Sequence, residues 1–209
     1  MLTVRCNGGS DYFIFSEVFQ HRYYEFPLSF APETVLDLGA NIGFTSIYLS
    51  KKYPDADIAC VEPMPNNIKL LNKNLLNNNV NVMIVPKAIS TENGMVNMQI
   101  APMDYGHKIQ GITFGRDVGG DVIQVESVSV PSLMRDFGWK RVGLLKIDIE
   151  GYEGILLKEK CEWLNLIDSI CIECHEGFGI MELSNIAAKY GFHPPMKLPG
   201  AYLLVRESI

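Results

Sequence analysis

The sequence predicts an α/β protein with a mostly parallel central sheet flanked by helices. Two segments carry most of this prediction, residues 35–43 and residues 144–151. Each is an apolar run that becomes acidic where a strand should end, and the first continues into a glycine-containing turn. Ligands of open α/β sheets bind at the carboxyl ends of the strands. We therefore expect a binding site where these two strands end.

The remaining elements follow from hydrophobic periodicity. Strands are expected at residues 34–38, 58–62, 82–85, 144–149 and 169–174, with helices at 44–52, 66–77 and 181–190. Strands that alternate with helices of about a dozen residues indicate βαβ units. Residues 201–205 are expected to close the sheet as an edge strand. The predicted buried face of helix 66–77 carries Ile68, Leu71, Leu75 and Leu76.

The middle of the chain breaks this alternation. Residues 95–100 and 122–128 are expected to form a small β insertion, followed by a short helix at 131–137. The segment 102–121 is rich in glycine and long for a connection in a compact domain. Its aromatic and basic residues could form one wall of a substrate site or a small separate hydrophobic core: Tyr105, His107, Phe114 and Arg116. We expect one domain over residues 1–209, with 1–30 as a lead-in and 102–121 as the variable substrate loop.

Composition narrows the class of protein. The 209 residues are 47% hydrophobic and 20% charged, which is typical of a globular domain. The net charge of -6, without a basic run, disfavours nucleic acid as a partner. No apolar stretch approaches the roughly 20 residues that span a membrane. The amino end lacks the apolar core of a signal peptide, so a cytoplasmic location is expected.

Five cysteines are an odd number, which argues against a complete disulfide framework. Cys171 and Cys174 form a C-x-x-C pattern within an apolar run. On a strand, their side chains would point to opposite faces. Redox pairs instead begin a helix, so the sequence favours buried thiols over a redox or zinc site.

The glycine turn differs from that of a dinucleotide-binding protein. Gly39 and Gly43 give G-x-x-x-G, whereas the dinucleotide fingerprint is G-x-G-x-x-G. Asp37 precedes the turn, where its carboxylate would repel a phosphate and attract an ammonium group. Glu62 ends the next strand, where an acidic side chain can accept hydrogen bonds from ribose hydroxyls. These features favour a nucleoside ligand that carries positive charge.

The later strands bring ionisable residues to the same edge of the sheet. Asp148 and Glu150 follow Lys146 on one strand, and Glu173 and His175 end the next. Buried charge is costly unless it is paired, and a structural ion pair, for instance Lys146 with Glu173, would explain the lysine. We favour a functional role for Asp148, Glu150 and His175.

A metal-assisted variant uses the same residues. Asp148, Glu150, Glu173 and His175 offer oxygen and imidazole ligands for Mg²⁺ or Mn²⁺, which would acidify a bound hydroxyl. Simple pairing explains these residues equally well. We therefore predict no metal.

Three segments in this order resemble the FkbM family of S-adenosylmethionine (SAM)-dependent methyltransferases: residues 35–43, residues 61–63 and residues 145–153. Residues 11–19 with Tyr23 and Tyr24, and residues 171–176, are similar to the flanking elements of that family. The resemblance implies a Rossmann-like class I methyltransferase fold with SAM as cofactor. It also implies O-methylation of a hydroxyl on a small-molecule acceptor, a sugar or a natural product.

The resemblance implies a role for each matching residue. The residues implied to bind the cofactor are Asp37, Gly39, Ala40, Asn41, Gly43, Phe44, Thr45, Glu62, Pro63, Met64, Ala88 and Asp148. Of these, Asp37 and the glycine loop hold the amino-acid end, Phe44 and Thr45 close over it, and Glu62 takes the ribose. Pro63, Met64 and Ala88 pack near the adenine, and Asp148 lines the methyl end.

Transfer to an alcohol also needs a base. We expect His175 first, because its ordinary pKa lies near neutrality, then Glu150 or Asp148 with a pKa raised by burial.

Two other functions stay open at this point: a nicotinamide-dependent oxidoreductase on a related dinucleotide fold, and a SAM-binding protein without turnover. The methylated atom is not specified, so N-methylation or carboxyl methylation is also compatible with the cofactor site. A homodimer is compatible with the sequence as well.

Overall fold

The computed structural model describes residues 1–5, 10–101, 106–111, 120–158, 160–175 and 177–207. Its strands are β1 (Thr34–Leu38), β2 (Asp57–Val61), β3 (Met83–Val85), β4 (Ala88–Ile89), β5 (Gly94–Gln99), β6 (Lys108–Ile109), β7 (Val122–Val128), β8 (Leu144–Ile147), β9 (Ser169–Ile172), β10 (Met196–Lys197) and β11 (Tyr202–Val205). Its helices are α1 (Ser10–Phe15), α2 (Phe44–Lys52), α3 (Pro65–Asn77), α4 (Val130–Phe137), α5 (Glu153–Leu156) and α6 (Ile180–Tyr190). A π-helical turn (Ser16–Gln20) continues α1, and a 3₁₀ turn (Glu162–Leu166) precedes β9.

The main sheet has seven strands in the order β10-β11-β9-β8-β1-β2-β3. Neighbouring strands from β9 to β3 pair in parallel, and β11 is antiparallel to both β9 and β10. The predicted α/β fold with a mostly parallel sheet is confirmed. A strand forms at Tyr202–Val205 as predicted, but its predicted edge position is wrong, because β10 pairs with β11 and takes the edge.

The predicted β insertion is also confirmed. It is a separate four-stranded sheet of order β4-β7-β5-β6, in which β5 and β7 pair antiparallel from Gly94↔Ser127 to Gln99↔Val122. Part of the predicted substrate loop, including Tyr105, Phe114 and Arg116, lies outside the described residues. Its described part includes β6 and reaches the site, as shown below.

Two boundaries of the main sheet matter for the site. β1 and α2 have the predicted bounds, but β8 and β9 each end two residues earlier than predicted. The strands stop at Ile147 and Ile172, both fully buried, so the acidic residues that follow lie in loops. The prediction that Leu76 shares the buried face of α3 is wrong, since its side chain is 77% exposed.

The N-terminal helix packs against the sheet layer through aromatic side chains. Phe15 and Phe19 meet Phe44 of α2 edge-on, with ring centroids 6.2 and 5.9 Å apart. This contact explains why Phe44 is almost fully buried. It also fixes the residues between Phe15 and Phe19 over the carboxyl edge of the sheet.

Cys60 and Cys171 are buried free thiols, as predicted, and Cys174 is half-buried. Burial raises the pKa of both Cys171 and Cys174 to about 12, so neither is a thiolate at neutral pH. Among the described residues, no helix is both long and apolar enough to cross a membrane.

Candidate active site

A cavity of about 420 Å³ opens at the carboxyl edge of the main sheet. Its walls come from the ends of β1, β2, β8 and β9, from the N-terminal helix, and from the insertion through Gly106, His107 and Ile109. Ligand pockets usually measure roughly 300–1,000 Å³. The cavity is therefore large enough for a small molecule at the edge where α/β sheets bind ligands.

Gly39 turns the chain sharply at the end of β1. Its φ of +80° lies in the left-handed region, which glycine adopts without steric cost. A Cβ at this position would lie 1.8 Å from the carbonyl oxygen of Asp148. Only glycine lets the loop after β1 approach the loop after β8 so closely, and both loops line the cavity.

Glu62 is fixed at the end of β2 by three donors. Its Oε1 accepts hydrogen bonds from Met64 N (2.9 Å) and Asn67 Nδ2 (3.2 Å), and its Oε2 accepts one from Asn41 N (2.9 Å). Burial raises the pKa of Glu62, although these hydrogen bonds act in the opposite direction. The carboxylate lines the cavity in one fixed orientation, as a receptor for hydroxyl groups requires.

Asn41 provides a second polar group. Its backbone has φ of +49°, a conformation that a non-glycine residue adopts at a cost of roughly 1–2 kcal/mol. Its Oδ1 is buried and accepts no hydrogen bond from the described residues. Because Asn41 lines the cavity, a ligand donor is the fitting partner for this oxygen.

Asp37 does not line the cavity. It is fully buried behind the glycine loop, where Ser46 Oγ donates to its Oδ2 (2.7 Å) and Lys146 Nζ lies 3.0 Å from its Oδ1. Asp37 and Lys146 are register partners on β1 and β8, so the ion pair joins adjacent strands. The predicted structural role of Lys146 in an ion pair is present, with Asp37 rather than Glu173 as its partner.

The other implied cofactor residues divide into two groups. Those that line the cavity are Gly39, Asn41, Thr45, Glu62, Pro63, Met64, Ala88 and Asp148. Those that do not are Asp37, Ala40, Gly43 and Phe44. Gly43 instead faces Leu71 of α3, and Phe44 packs on the N-terminal helix, so both support the loop from behind.

Four carboxylates line the opposite end of the cavity, and we call Glu17, Asp148, Glu150 and Glu173 the acidic wall. Backbone hydrogen bonds from Asp148 N to Leu38 O (3.1 Å) and from Glu173 N to Ile147 O (2.9 Å) place two of them at adjacent strand ends. Burial and then the charge of Asp148 raise the pKa of Glu17 and Glu150 to about 7 and of Glu173 to about 8.

His175 lies inside this wall. Its Nδ1 is 2.9 Å from Glu153 Oε1, and its Nε2 lies 3.6 Å from Glu150 Oε2 and 4.0 Å from Asp148 Oδ1. Burial alone lowers the pKa of His175, but Glu153 and the surrounding carboxylates outweigh it and raise the pKa to about 9. A pKa near 9 favours the protonated imidazole at neutral pH, and the role of His175 as the base stays a prediction.

Glu153 organises this loop. Its fully buried carboxylate accepts hydrogen bonds from Ile149 N (3.1 Å) and Gly151 N (3.3 Å) through the same oxygen that meets His175. The turn between these donors places Glu150 at φ of +55°. Strained backbone of this kind is concentrated at functional sites.

Asp148, Glu173 and His175 each offer one atom to a group whose members lie within 4.8 Å of one another. These are three of the four ligands that the metal-assisted variant requires. The prediction of no metal stays a prediction.

Sequence reasoning missed Glu17 and Glu153. Glu17 lies in residues 11–19, which resemble a flanking element of the family, but hydrophobic periodicity alone gave this segment no position over the sheet. Glu153 follows Glu150 by three residues, and a one-turn helix is too short to stand out as a pattern.

The fold is that of the class I SAM-dependent methyltransferases. It is similar to a solved structure, methyltransferase FkbM from Methylobacillus flagellatus KT. That structure has a TM-score of 0.61 and 16% identity, over 90% of this chain and 47% of the other. The chain thus spans about half of that solved protein.

The chain belongs to the FkbM methyltransferase domain family, whose model matches residues 37–189. It is 28% identical to methyltransferase sdnD of Sordaria araneosa, over 80% of this chain and 76% of the relative. It is 26% identical to the 31-O-demethyl-FK506 methyltransferase FkbM of Streptomyces tacrolimicus, over 89% and 83%. The cofactor of this methyltransferase fold is SAM. Membership in a methyltransferase family leaves the oxidoreductase hypothesis without support.

Proposed function

We propose that this chain transfers a methyl group from SAM to a hydroxyl oxygen of a sugar or natural-product acceptor. The observation that carries the proposal is one cavity with a fixed carboxylate, Glu62, at one end and the acidic wall at the other. The first suits ribose hydroxyls, and the second suits a positive centre. One relative is named for an O-demethyl natural product, which supports an oxygen acceptor.

The chain's residues fit this cofactor as follows. Glu62 would accept hydrogen bonds from the ribose, and the unpartnered Oδ1 of Asn41 would accept one from the amino-acid end. Met64 and Ala88 are buried apolar side chains that line the cavity near Glu62, where an adenine ring would pack. Asp37 would act indirectly, by fixing the lysine beneath the glycine loop.

When bound, SAM supplies a methyl group on a positively charged sulfur, which keeps the bonding electron pair when oxygen takes the methyl. The protein must then align the acceptor oxygen and remove its proton. We assign the proton to a carboxylate oxygen of Glu150, whose pKa is raised to about 7. His175 stays protonated beside it and holds Glu150 in place, which replaces our first expectation that His175 is the base.

The experiment that tests this proposal is transfer of labelled methyl from SAM to a panel of sugar and natural-product alcohols. We expect Glu150→Gln to slow turnover by roughly 10²–10⁴-fold, the usual contribution of a general base, with a smaller effect on the Kd for SAM. Glu126→Gln is the matched control, because Glu126 is an exposed carboxylate on β7.

Two outcomes would contradict the proposal. Turnover by Glu150→Gln at the wild-type rate would remove Glu150 as the base. SAM binding without transfer to any alcohol of the panel would favour the non-catalytic hypothesis.

A further inference from the structure

Negative charge dominates the end of the cavity where an acceptor must meet the cofactor. The acidic wall contributes four carboxylates. Among the described residues, Lys146 is the only lysine or arginine that lines the cavity. Its ammonium group contacts Asp37 Oδ1 (3.0 Å) and donates to the carbonyl oxygens of Gly39 (2.8 Å) and Leu38 (3.3 Å). Lys146 is therefore engaged with the sheet rather than turned to an acceptor.

The two histidines that line the cavity do not reverse this balance. His175 is protonated but is held by Glu153 within the wall. His107 accepts the backbone N–H of Ala101 at Nδ1 (3.0 Å). Both histidines are thus engaged with neighbouring groups of the protein, and Lys146 Nζ lies 3.8 Å from Asp148 Oδ2.

Glu17 adds to this charge from outside the sheet. It lies on the π-helical turn Ser16–Gln20, which the contacts of Phe15 and Phe19 with Phe44 fix over the cavity. Its charge interacts with those of Asp148 and Glu173 across the cavity. Asp148 and Glu173 lie at the ends of β8 and β9, so we place Glu17 with them on the acceptor side.

We infer that the acceptor presents an uncharged or cationic group to the acidic wall, and that Glu17 excludes acceptors with a carboxylate or phosphate next to the reacting hydroxyl. This inference rests on the proposed function. Burial and mutual repulsion already raise the pKa of Glu17 and Glu150 to about 7 and that of Glu173 to about 8, so the acidic wall accommodates further negative charge poorly. An anionic acceptor would add a like charge beside these groups, and such like-charge contacts are how sites reject a wrong ligand.

The test uses cofactor analogues that carry their own probe into the acceptor space. In one analogue a carboxymethyl group replaces the methyl on sulfur, and in the other an isosteric carbamoylmethyl group does. The two differ only in one negative charge. Calorimetric titration measures the Kd of both, together with SAM, for wild type, Glu17→Gln and the control Glu25→Gln, whose exposed carboxylate pairs with Arg22.

We expect wild type and Glu25→Gln to bind the carbamoylmethyl analogue at least about tenfold more tightly than the carboxymethyl analogue. This ratio corresponds to about 1.4 kcal/mol of binding free energy. In Glu17→Gln this preference shrinks, while the affinity for SAM changes less. Equal or tighter binding of the carboxymethyl analogue by wild type overturns the inference. If Arg116→Gln then abolishes that binding, the insertion carries an anion site instead.

This design separates two failures. If wild type binds SAM but prefers the carboxymethyl analogue, the acceptor inference fails and the methyltransferase proposal stands. If wild type does not bind SAM, the proposed function itself fails.

Discussion

The two ends of the cavity treat negative charge in opposite ways. At the ends of β1 and β2, Asp37 is paired with Lys146, and Glu62 receives three hydrogen bonds. At the ends of β8 and β9, three carboxylates of the acidic wall lie within 4.0 Å of His175 Nε2, and Lys146 Nζ lies 3.8 Å from Asp148 Oδ2. At the first end the two carboxylates have protein partners without a ligand, whereas at the second end the carboxylates outnumber the basic groups beside them. We propose that the first end is a rigid receptor and the second is the reactive end.

The largest expected effect comes from removing one partner of the Asp37–Lys146 ion pair. Asp37→Leu leaves the ammonium of Lys146 buried without its counterion, and removal of one partner of a buried pair costs about 3–5 kcal/mol of unfolding free energy. Urea denaturation measures this loss. The double variant Asp37→Leu with Lys146→Met should recover most of it. A single variant as stable as wild type would show that the pair contributes little.

The close approach of two loops gives the next effect. Gly39→Ala places an alanine in left-handed backbone and also brings its Cβ against the carbonyl of Asp148. Gly138→Ala also has a positive φ, of +70°, but no atom lies within 4 Å of the added Cβ. We expect Gly39→Ala to lose about 1–3 kcal/mol more than Gly138→Ala, the usual cost of overpacking. Thermal and urea unfolding compare the two. Equal losses would mean that strain alone accounts for Gly39.

The raised pKa values at the second end of the cavity should make the free energy of unfolding depend on pH. The pKa values of Glu150, Glu173 and His175, about 7, 8 and 9, lie above the ordinary values of 4.5 for glutamate and 6.5 for histidine. The folded state therefore binds more protons than the unfolded state. This stabilisation is complete below the ordinary values and is lost as pH rises through the folded values. We expect the free energy of unfolding of the ligand-free protein to fall between about pH 5 and pH 9.

Substitution sharpens this pH prediction. Glu173→Gln should flatten the decline, because that residue no longer titrates. Glu126→Gln should not, since its partner Lys87 lowers the pKa of Glu126 below this range. Stability that rises with pH over this interval would contradict the account of the acidic wall.

The smallest expected effect is on His175 itself. Glu153→Gln keeps an oxygen for Ile149 N and Gly151 N but removes the negative charge beside Nδ1. The pKa of His175 should then fall from about 9 towards its ordinary value, as a nuclear magnetic resonance titration of the imidazole protons would report. Glu126→Gln, which changes an exposed carboxylate on β7, is the control. An unchanged pKa would assign the shift to the acidic wall alone.

The limits of sequence reasoning follow from the same comparison. Residues 34–38 and 44–52 were predicted with their observed bounds, because periodicity and the glycine turn are local signals. The partner of Lys146 was not predictable, because it depends on which strands are neighbours and on their register. On β9 its register partner is Cys171, and Glu173 lies beyond the strand, so Asp37 on β1 takes the pair.

Strand order explains another error. Residues 201–205 are the last apolar run, which suggested an edge, but the two-residue strand β10 is too short to recognise in a sequence. The proposed role of Glu17 was not predictable from the sequence for a similar reason. Its role depends on aromatic contacts between the N-terminal helix and α2, which no local pattern reveals.

The measurement that tests the central claim most directly is calorimetric titration with SAM and with S-adenosylhomocysteine, which lacks the positive sulfur. The variants are Glu62→Ala and Asp148→Asn. We expect Glu62→Ala to weaken both ligands by a similar factor of at least about tenfold, because both carry the ribose and a charge-assisted hydrogen bond is lost. Asp148→Asn should weaken SAM more than S-adenosylhomocysteine. No binding by wild type, or an equal effect of Asp148→Asn on both ligands, would contradict the division of the cavity into a receptor end and a reactive end.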